Sequence, residues 1–298
     1  MDGELVQMGH ELPAAGLPVL GWDEMISTFL DTKKTSTRRT YGPKLRVMAV
    51  ELGGCGPAVV TGQQLAAWGR TQWDQLDAGS VAPSTCRGRI NAARSLFHFC
   101  RIVGQSPISK EVLAFVLPVP KDQVIRPFQV LSADEQGRIL GAVEDQERRI
   151  VATMLYAGVR ASELCKLRAT DYHTDEQGRY WLKVRGKGGK SRVVPVGQAL
   201  AGELGAPGQG DGPLFKSRQG PGHYKRQRIF QIVKAAVARA GIEKRISPHS
   251  LRHTAAITWL HAGVPLSVVQ QWLGHASLAT TQKYLDHVTN GEAHGYMP

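Results

Sequence analysis

Positions 249–253 read His-Ser-Leu-Arg-His and follow Pro248. On a helix, residues i, i+3 and i+4 share a face, so His249, Arg252 and His253 point the same way. Two histidines four apart suggest a zinc site. The helical zinc motif of metalloproteases, however, needs Glu directly after the first His, and Ser250 stands there. No cysteine or acid cluster supplies a third ligand, so the metal reading is set aside. The better chemistry pairs His249 with Arg252 as donors to one phosphate, because a guanidinium forks onto two oxygens and keeps its charge. A second arginine, Arg160, follows a helix expected to end at Gly158, where a turn can aim a long side chain. Gly274 is expected to stop a helix at 266–273, which puts His275 on a turn. Tyr284 lies 284 − 275 = 9 residues later, in a short helix. Taken singly, Arg160 reads as surface decoration and Tyr284 as core; the combination is what is specific.

In order, these segments resemble the tyrosine recombinase (phage-integrase) family. The motifs are G-V-R-A-S-E-L at 158–164, G-K-G-G-K-S-R at 186–192, H-S-L-R-H at 249–253, L-G-H at 273–275 and T-T-Q-K-Y-L-D-H-V at 280–288. The resemblance implies a catalytic set of Arg160, Lys187, His249, Arg252, His275 and Tyr284, with Glu163 orienting its neighbours. Tyr284 would attack phosphorus, and its phenol, with a pKa near about 10, needs help to do so. Arg160 and Arg252 would clamp the nonbridging oxygens, supplying the electrostatic stabilisation that metal ions give elsewhere. His249 would accept the tyrosyl proton, His275 would bond the phosphate, and Lys187 would protonate the leaving 5′-hydroxyl. The product would be a 3′-phosphotyrosyl link that a second 5′-hydroxyl resolves, so neither metal nor nucleotide cofactor is expected. The implied partners are double-stranded DNA with paired core sites and further copies of the chain, as a tetramer passing through a Holliday junction. The layout is similar to two-domain Xer-type recombinases and compact integrases, with no separate arm-site domain expected. A type IB topoisomerase would share this chemistry, and a catalytically silent DNA-binding accessory protein would share the folds. The Arg-rich helical N-terminal domain and Xer-like motifs favour recombination over the first, and the intact six-residue set argues against the second.

The elements that must position these groups divide in two. Residues 1–20 read as a loose leader. Apolar spacing predicts helices from Trp22, from Thr35 to a stop at Gly53-Gly54, from Thr61 to Trp73, and from Pro83 through Cys100. Residues 21–117 are thus expected to form an all-helical domain, similar to the family's core-binding (SAM-like) domain. Arg38, Arg39 and Lys44 on one helix, and Arg87, Arg89 and Arg94 on another, are expected phosphate contacts. The proline-rich stretch 118–130 reads as an extended linker, with the boundary near 125. Ser132 and Glu135 form a capping box that opens the catalytic domain, residues 131–298. That domain is expected to be mostly helical, with one hairpin from 180–184 and 192–196 around a Gly-rich turn. Helices are expected at about 223–240, 249–262 and 266–273, and a last one around Tyr284. The overall class is therefore mainly α with a small β-sheet.

Of 298 residues, 37 are Lys or Arg and 25 Asp or Glu, a formal charge of +12 that favours a polyanionic partner. Between Lys216 and Arg252 the only acid is Glu243, and this stretch, including Lys225, Arg226 and Arg228, is expected to line a DNA channel. The four cysteines form no C-x-x-C pair; three sit in apolar or amphipathic stretches, so buried free thiols are expected. With no bilayer-spanning run and no secretion signal read, the expected setting is the cytoplasm, at the nucleoid. The segment after Tyr284 is read as a docking tail, with docking in cis on its own chain or in trans on a neighbouring subunit both left open.

Overall fold

The computed structural model describes residues 19–54, 56–120, 128–186, 189–208, 210–217, 222–275, 277–278, 281–282 and 284. The chain divides into two compact units, Met1–Ile125 and Arg126–Pro298.

The first unit is helical: α1 (Trp22–Asp31), α2 (Thr35–Leu52), α3 (Gly62–Asp77), α4 (Pro83–Ile102) and α5 (Lys110–Val116). The apolar faces legible in the sequence meet in one core of Met25 and Phe29 from α1, Leu45 and Met48 from α2, Leu65 from α3, and Ile90, Leu96 and Phe97 from α4. Burial of such side chains contributes roughly 1.5–3 kcal/mol each. Local chemistry sets the helix starts. Thr61 and Gln64 close a capping box at α3, and Pro83 opens α4, where its missing N–H costs nothing. Helix α5 carries no periodic signal in the sequence, its seven residues being too few, and it is fixed by the Ser109 cap and the burial of Leu113.

The second unit runs α6 (Ala133–Gly141), α7 (Asp145–Ala157), α8 (Ala161–Leu164), β1 (Tyr172–Thr174), β2 (Tyr180–Arg185), β3 (Ser191–Val196), α9 (Gln198–Leu204), α10 (Arg226–Arg239), α11 (Pro248–His261) and α12 (Leu266–Leu273). The Ser132–Glu135 capping box forms as expected. The strands make an antiparallel sheet in the order β1-β2-β3, with Leu182 opposite Val194 and Arg185 opposite Ser191. The hairpin was legible; β1 and α9 were not, being three and seven residues long. Helix α7 is buried on nearly every side by α6, α9, α11 and β3, consistent with its run of buried residues from Ile150 to Leu155. Gly158 ends it in the left-handed conformation (φ +58°), and a side chain there would strike Trp259 at 2.9 Å. Residues 281, 282 and 284 are helical. Cys86 and Cys100 are buried free thiols and Cys165 a half-buried one; Cys55 lies outside the described residues.

Candidate active site

Four pieces of backbone converge in the second unit. The turn from α7 into α8 brings Arg160 and Glu163, α11 brings His249, Arg252 and His253, the turn after α12 brings His275, and the following helical residues bring Tyr284. Arg252 is the centre. It is 2% exposed and donates through Nη1 to the Gly158 carbonyl (2.7 Å) and through Nη2 to the Leu273 carbonyl. The same Nη2 stands 3.1 Å from His275 Nε2. Both carbonyls end helices capped by left-handed glycines, so the helix stops read from Gly158 and Gly274 build the socket for this guanidinium.

Glu163 is the counter-ion. At 5% exposure it accepts from the Arg160 backbone N–H (2.8 Å) and from Arg160 Nη1 (2.7 Å), and it lies 3.8 Å from Arg252 Nη1. A third guanidinium, Arg192 of β3, binds both its oxygens, at 2.9 and 2.8 Å. Burial opposes its charge, but the bonds and charge of Arg192, followed by the Arg160 bonds, outweigh this and hold its pKa at about 2. Burial and then the Arg160 charge lower Arg252 to about 9, partly offset by Glu163, so it stays cationic at neutral pH.

The imidazoles are all biased neutral. His275 is lowered to about 4 by burial, then by Arg252 and Arg160, and its Nδ1 is 3.0 Å from Thr281 Oγ1. His253 is lowered to about 4 by burial, then by His249 and Arg252. His249 is solvent-facing on one side, yet partial burial and the charges of Arg252, Arg226 and Arg160 also lower it.

Tyr284 is 2% exposed within a small apolar group that includes Ala256, Ile257, Val269 and Leu273. Its hydroxyl meets His253 Nδ1 at 2.7 Å, where the sequence pointed to His249 as the proton acceptor. Phe128 stacks on the Tyr284 ring, with centroids 4.8 Å apart, and lies 4.4 Å from the His253 ring. Burial raises the phenol pKa against the lowering by Arg252 and Arg160, so in this arrangement the hydroxyl keeps its proton. In the sequence, His253 stands out only for its helical spacing, and Arg192 only as a strand residue that ends the G-K-G-G-K-S-R motif. Lys187 lies outside the described residues, as do 285–298. Among the described residues no group of three or more His, Cys, Asp or Glu is arranged to hold a metal ion, and no helix is long and apolar enough to cross a membrane.

The expected DNA contacts are placed unevenly. Arg39 is exposed, but Arg38 binds the end of α1 through the Asp31 and Lys33 carbonyls and the Asp31 carboxylate. Lys44 lies along Gly88 and donates to the Thr40 carbonyl. Arg87 donates to the Pro120 carbonyl, Arg89 binds Gln72 and Gln75 of α3, and Arg94 is half-buried. On α10 and its cap, Lys225 and Arg226 are exposed, Arg226 lying over the Phe230 ring. Arg228 and Arg239 share Glu147, and Lys244 pairs with Glu135. The 216–252 stretch is therefore less uniformly basic in space than in sequence, because α6 and α7 bring acids to it.

Residues 129–290 match the Phage integrase family. The tyrosine recombinase XerD of Brucella suis biovar 1 is 32% identical over 94% of this chain and 95% of its own length. The tyrosine recombinase XerC of Pelobacter propionicus is 35% identical over 69% of this chain and 70% of its own. Among solved structures, a lambda integrase (75–356) dimer bound to a COC′ core site superposes with a TM-score of 0.68 at 17% identity, covering 90% of this chain and 96% of that one. XerH bound to palindromic difH substrate gives 0.68 at 20% identity, covering 87% and 79%. These two likenesses bear on the fold, whereas the sequence matches bear on the family. The chain belongs to the phage integrase family and is a tyrosine recombinase, an enzyme of site-specific DNA recombination.

Proposed function

We propose that the strand-cleaving nucleophile is Tyr284 and that Arg160, Arg252 and His275 bind the scissile phosphate, with His249 and Lys187 completing the set. The observation that carries this reading is the convergence of Arg160, Arg252 and His275 on Tyr284, with Arg252 locked by Gly158 and Leu273 carbonyls. Two cations over one phosphate lower the cost of charge building on its nonbridging oxygens. Neutral imidazoles at pH 7 can take the phenol proton as the oxygen bonds to phosphorus. The leaving 5′-oxygen takes a proton from Lys187, and the cut strand is held as a 3′-phosphotyrosyl ester. Attack by a 5′-hydroxyl reverses the sequence, so one diester replaces another and no external energy source is needed.

Because Tyr284 is buried against Phe128 and bonded to His253, its helical turn must shift before the hydroxyl can reach phosphorus. DNA binding is the event that drives this shift in our reading. The substrate is duplex DNA carrying paired core sites. Solved structures of lambda integrase include a tetramer bound to a Holliday junction, and we extend that assembly to this chain. A soluble protein acting at the nucleoid fits this role. The test incubates the full chain with nicked duplexes made from genomic DNA of the source organism, which trap covalent adducts. The wild type is expected to retain a sequence-restricted set of fragments, Tyr284→Phe none. Relaxation of supercoiled plasmid, with no recombination between two copies of a selected fragment, would instead favour a topoisomerase.

A further inference from the structure

Arg192 sits on β3, opposite Val184, one pair inward from the Arg185–Ser191 pair that closes the hairpin. Its side chain is 11% exposed, and three of its nitrogens are engaged. Nη1 and Nη2 take both oxygens of Glu163, and Nε donates to the Trp272 carbonyl at 2.5 Å. That carbonyl belongs to the last turn of α12, where unpaired C=O groups favour a cation. The stem of the same side chain lies against Gly274: a Cβ there would be 3.0 Å from Arg192 Cδ and 3.2 Å from Nη1. Gly274 is the residue before His275 and has φ +65°. One guanidinium thus ties together the strand leaving the lysine hairpin, the carboxylate that holds Arg160, and the turn that carries His275.

We propose that Arg192 is the positioning residue of this site, fastening Glu163 and the His275 turn to the hairpin while touching neither phosphate nor nucleophile. The proposal rests on the Tyr284-centred reading above. Glu163 faces three guanidiniums, and Arg192 takes the two-pronged bond while Arg160 takes one oxygen through its side chain. With Arg192 removed, the buried carboxylate would be free to turn fully onto Arg160 and Arg252 and draw both charges away from a phosphate. The planar fork matters, since a lysine at this position has one nitrogen and cannot bridge both Glu163 oxygens and the Trp272 carbonyl with the same geometry.

The experiment uses full-length wild type, Arg192→Gln, Arg192→Lys, Glu163→Gln and the Glu163→Gln/Arg192→Gln double variant on one nicked duplex selected as above. Single-turnover cleavage, DNA affinity and thermal unfolding are measured for each. Arg192→Gln is expected to cleave about 10²-fold slower, the scale of one lost electrostatic contact, with affinity changed less than about threefold. Arg192→Lys is expected to recover part of the rate. The double variant is expected to cleave no slower than the slower single variant, because residues acting through one contact are not additive. Wild-type cleavage in both Arg192 variants would overturn the proposal, as would rate losses that multiply in the double variant. Cleavage, affinity and unfolding temperature falling together, without recovery by lysine, would assign Arg192 to stability alone and overturn it too. Absence of any adduct with the wild type is a different failure: it removes the Tyr284 reading, and this proposal with it.

Discussion

His253 Nδ1 lies 2.7 Å from the Tyr284 hydroxyl, and the rings of both residues lie against Phe128. The contact holds Tyr284 in a buried position, where its pKa is raised by desolvation against the pull of Arg252 and Arg160. A buried hydroxyl that loses its partner costs about 1–3 kcal/mol, which makes this bond a latch on the helical residues that carry Tyr284. His253→Ala and Phe128→Ala are each expected to speed amide exchange around 281–284 by about tenfold or more, as local opening becomes easier. Hydrogen–deuterium exchange by mass spectrometry reads this directly. Unchanged exchange in both variants would mean that the latched arrangement is not the one populated in solution.

Acid is expected to weaken the fold in two stages. His253 and His275 have folded pKa values of about 4, below the ordinary 6.5. Between those values the unfolded chain binds more protons than the folded one, so stability falls as pH drops from about 6.5 toward 4. Glu163, held at about 2, adds stability that is present above its ordinary 4.5 and lost as pH falls from there. Thermal unfolding followed from pH 8 to about 2 should show a steady decline beginning near pH 6.5 and a further loss below about 4.5. Replacing both histidines by glutamine is expected to flatten most of the first stage, sparing the part that His249 contributes, and to leave the second.

Glu163→Gln removes the only carboxylate within reach of Arg160, Arg192 and Arg252 among the described residues. Breaking a buried ion pair from one side typically costs about 3–5 kcal/mol, since the partner charges stay buried. Urea unfolding should show a loss of that size. A loss below about 1 kcal/mol would mean that the three guanidiniums do not depend on this carboxylate.

Much of this site was legible from local chemistry. Gly158 and Gly274 marked helix stops, and both take the left-handed conformation there. Ser132 and Glu135 marked a helix start by reciprocal bonding. Spacing alone put His249, Arg252 and His253 on α11. What spacing does not carry is rotation and reach. Whether His249 or His253 touches Tyr284 depends on how a segment some thirty residues downstream packs back on α11, with |i−j| = 31 for the contact. Arg192 read as one more alternating strand residue because its partners, Glu163 and Trp272, are 29 and 80 residues away. The basic stretch 216–252 hid its acids in the same way, since Glu147 and Glu135 come from α7 and from α6.

Two glycines separate backbone strain from contact with Arg192. Gly263 and Gly274 both have positive φ, at +78° and +65°, but only Gly274 has a neighbour where a Cβ would stand. Alanine at either position is expected to cost about 1 kcal/mol of backbone strain. Gly274→Ala must also displace Arg192, so its cleavage rate is expected to fall about tenfold or more while Gly263→Ala cleaves like the wild type. Equal rates for the two variants would show that the Gly274 turn tolerates movement of Arg192.

The most direct measurement is the chemistry of the covalent adduct. A nicked duplex trapped by the full chain is digested with protease and nuclease, and the DNA-bearing peptide is sequenced by mass spectrometry. The expected result is a nucleotide linked through its 3′-phosphate to Tyr284, abolished by Tyr284→Phe and slowed by about 10²–10³ in Arg252→Ala. An adduct on another residue, a link to a 5′-phosphate, or an adduct that survives Tyr284→Phe would contradict it.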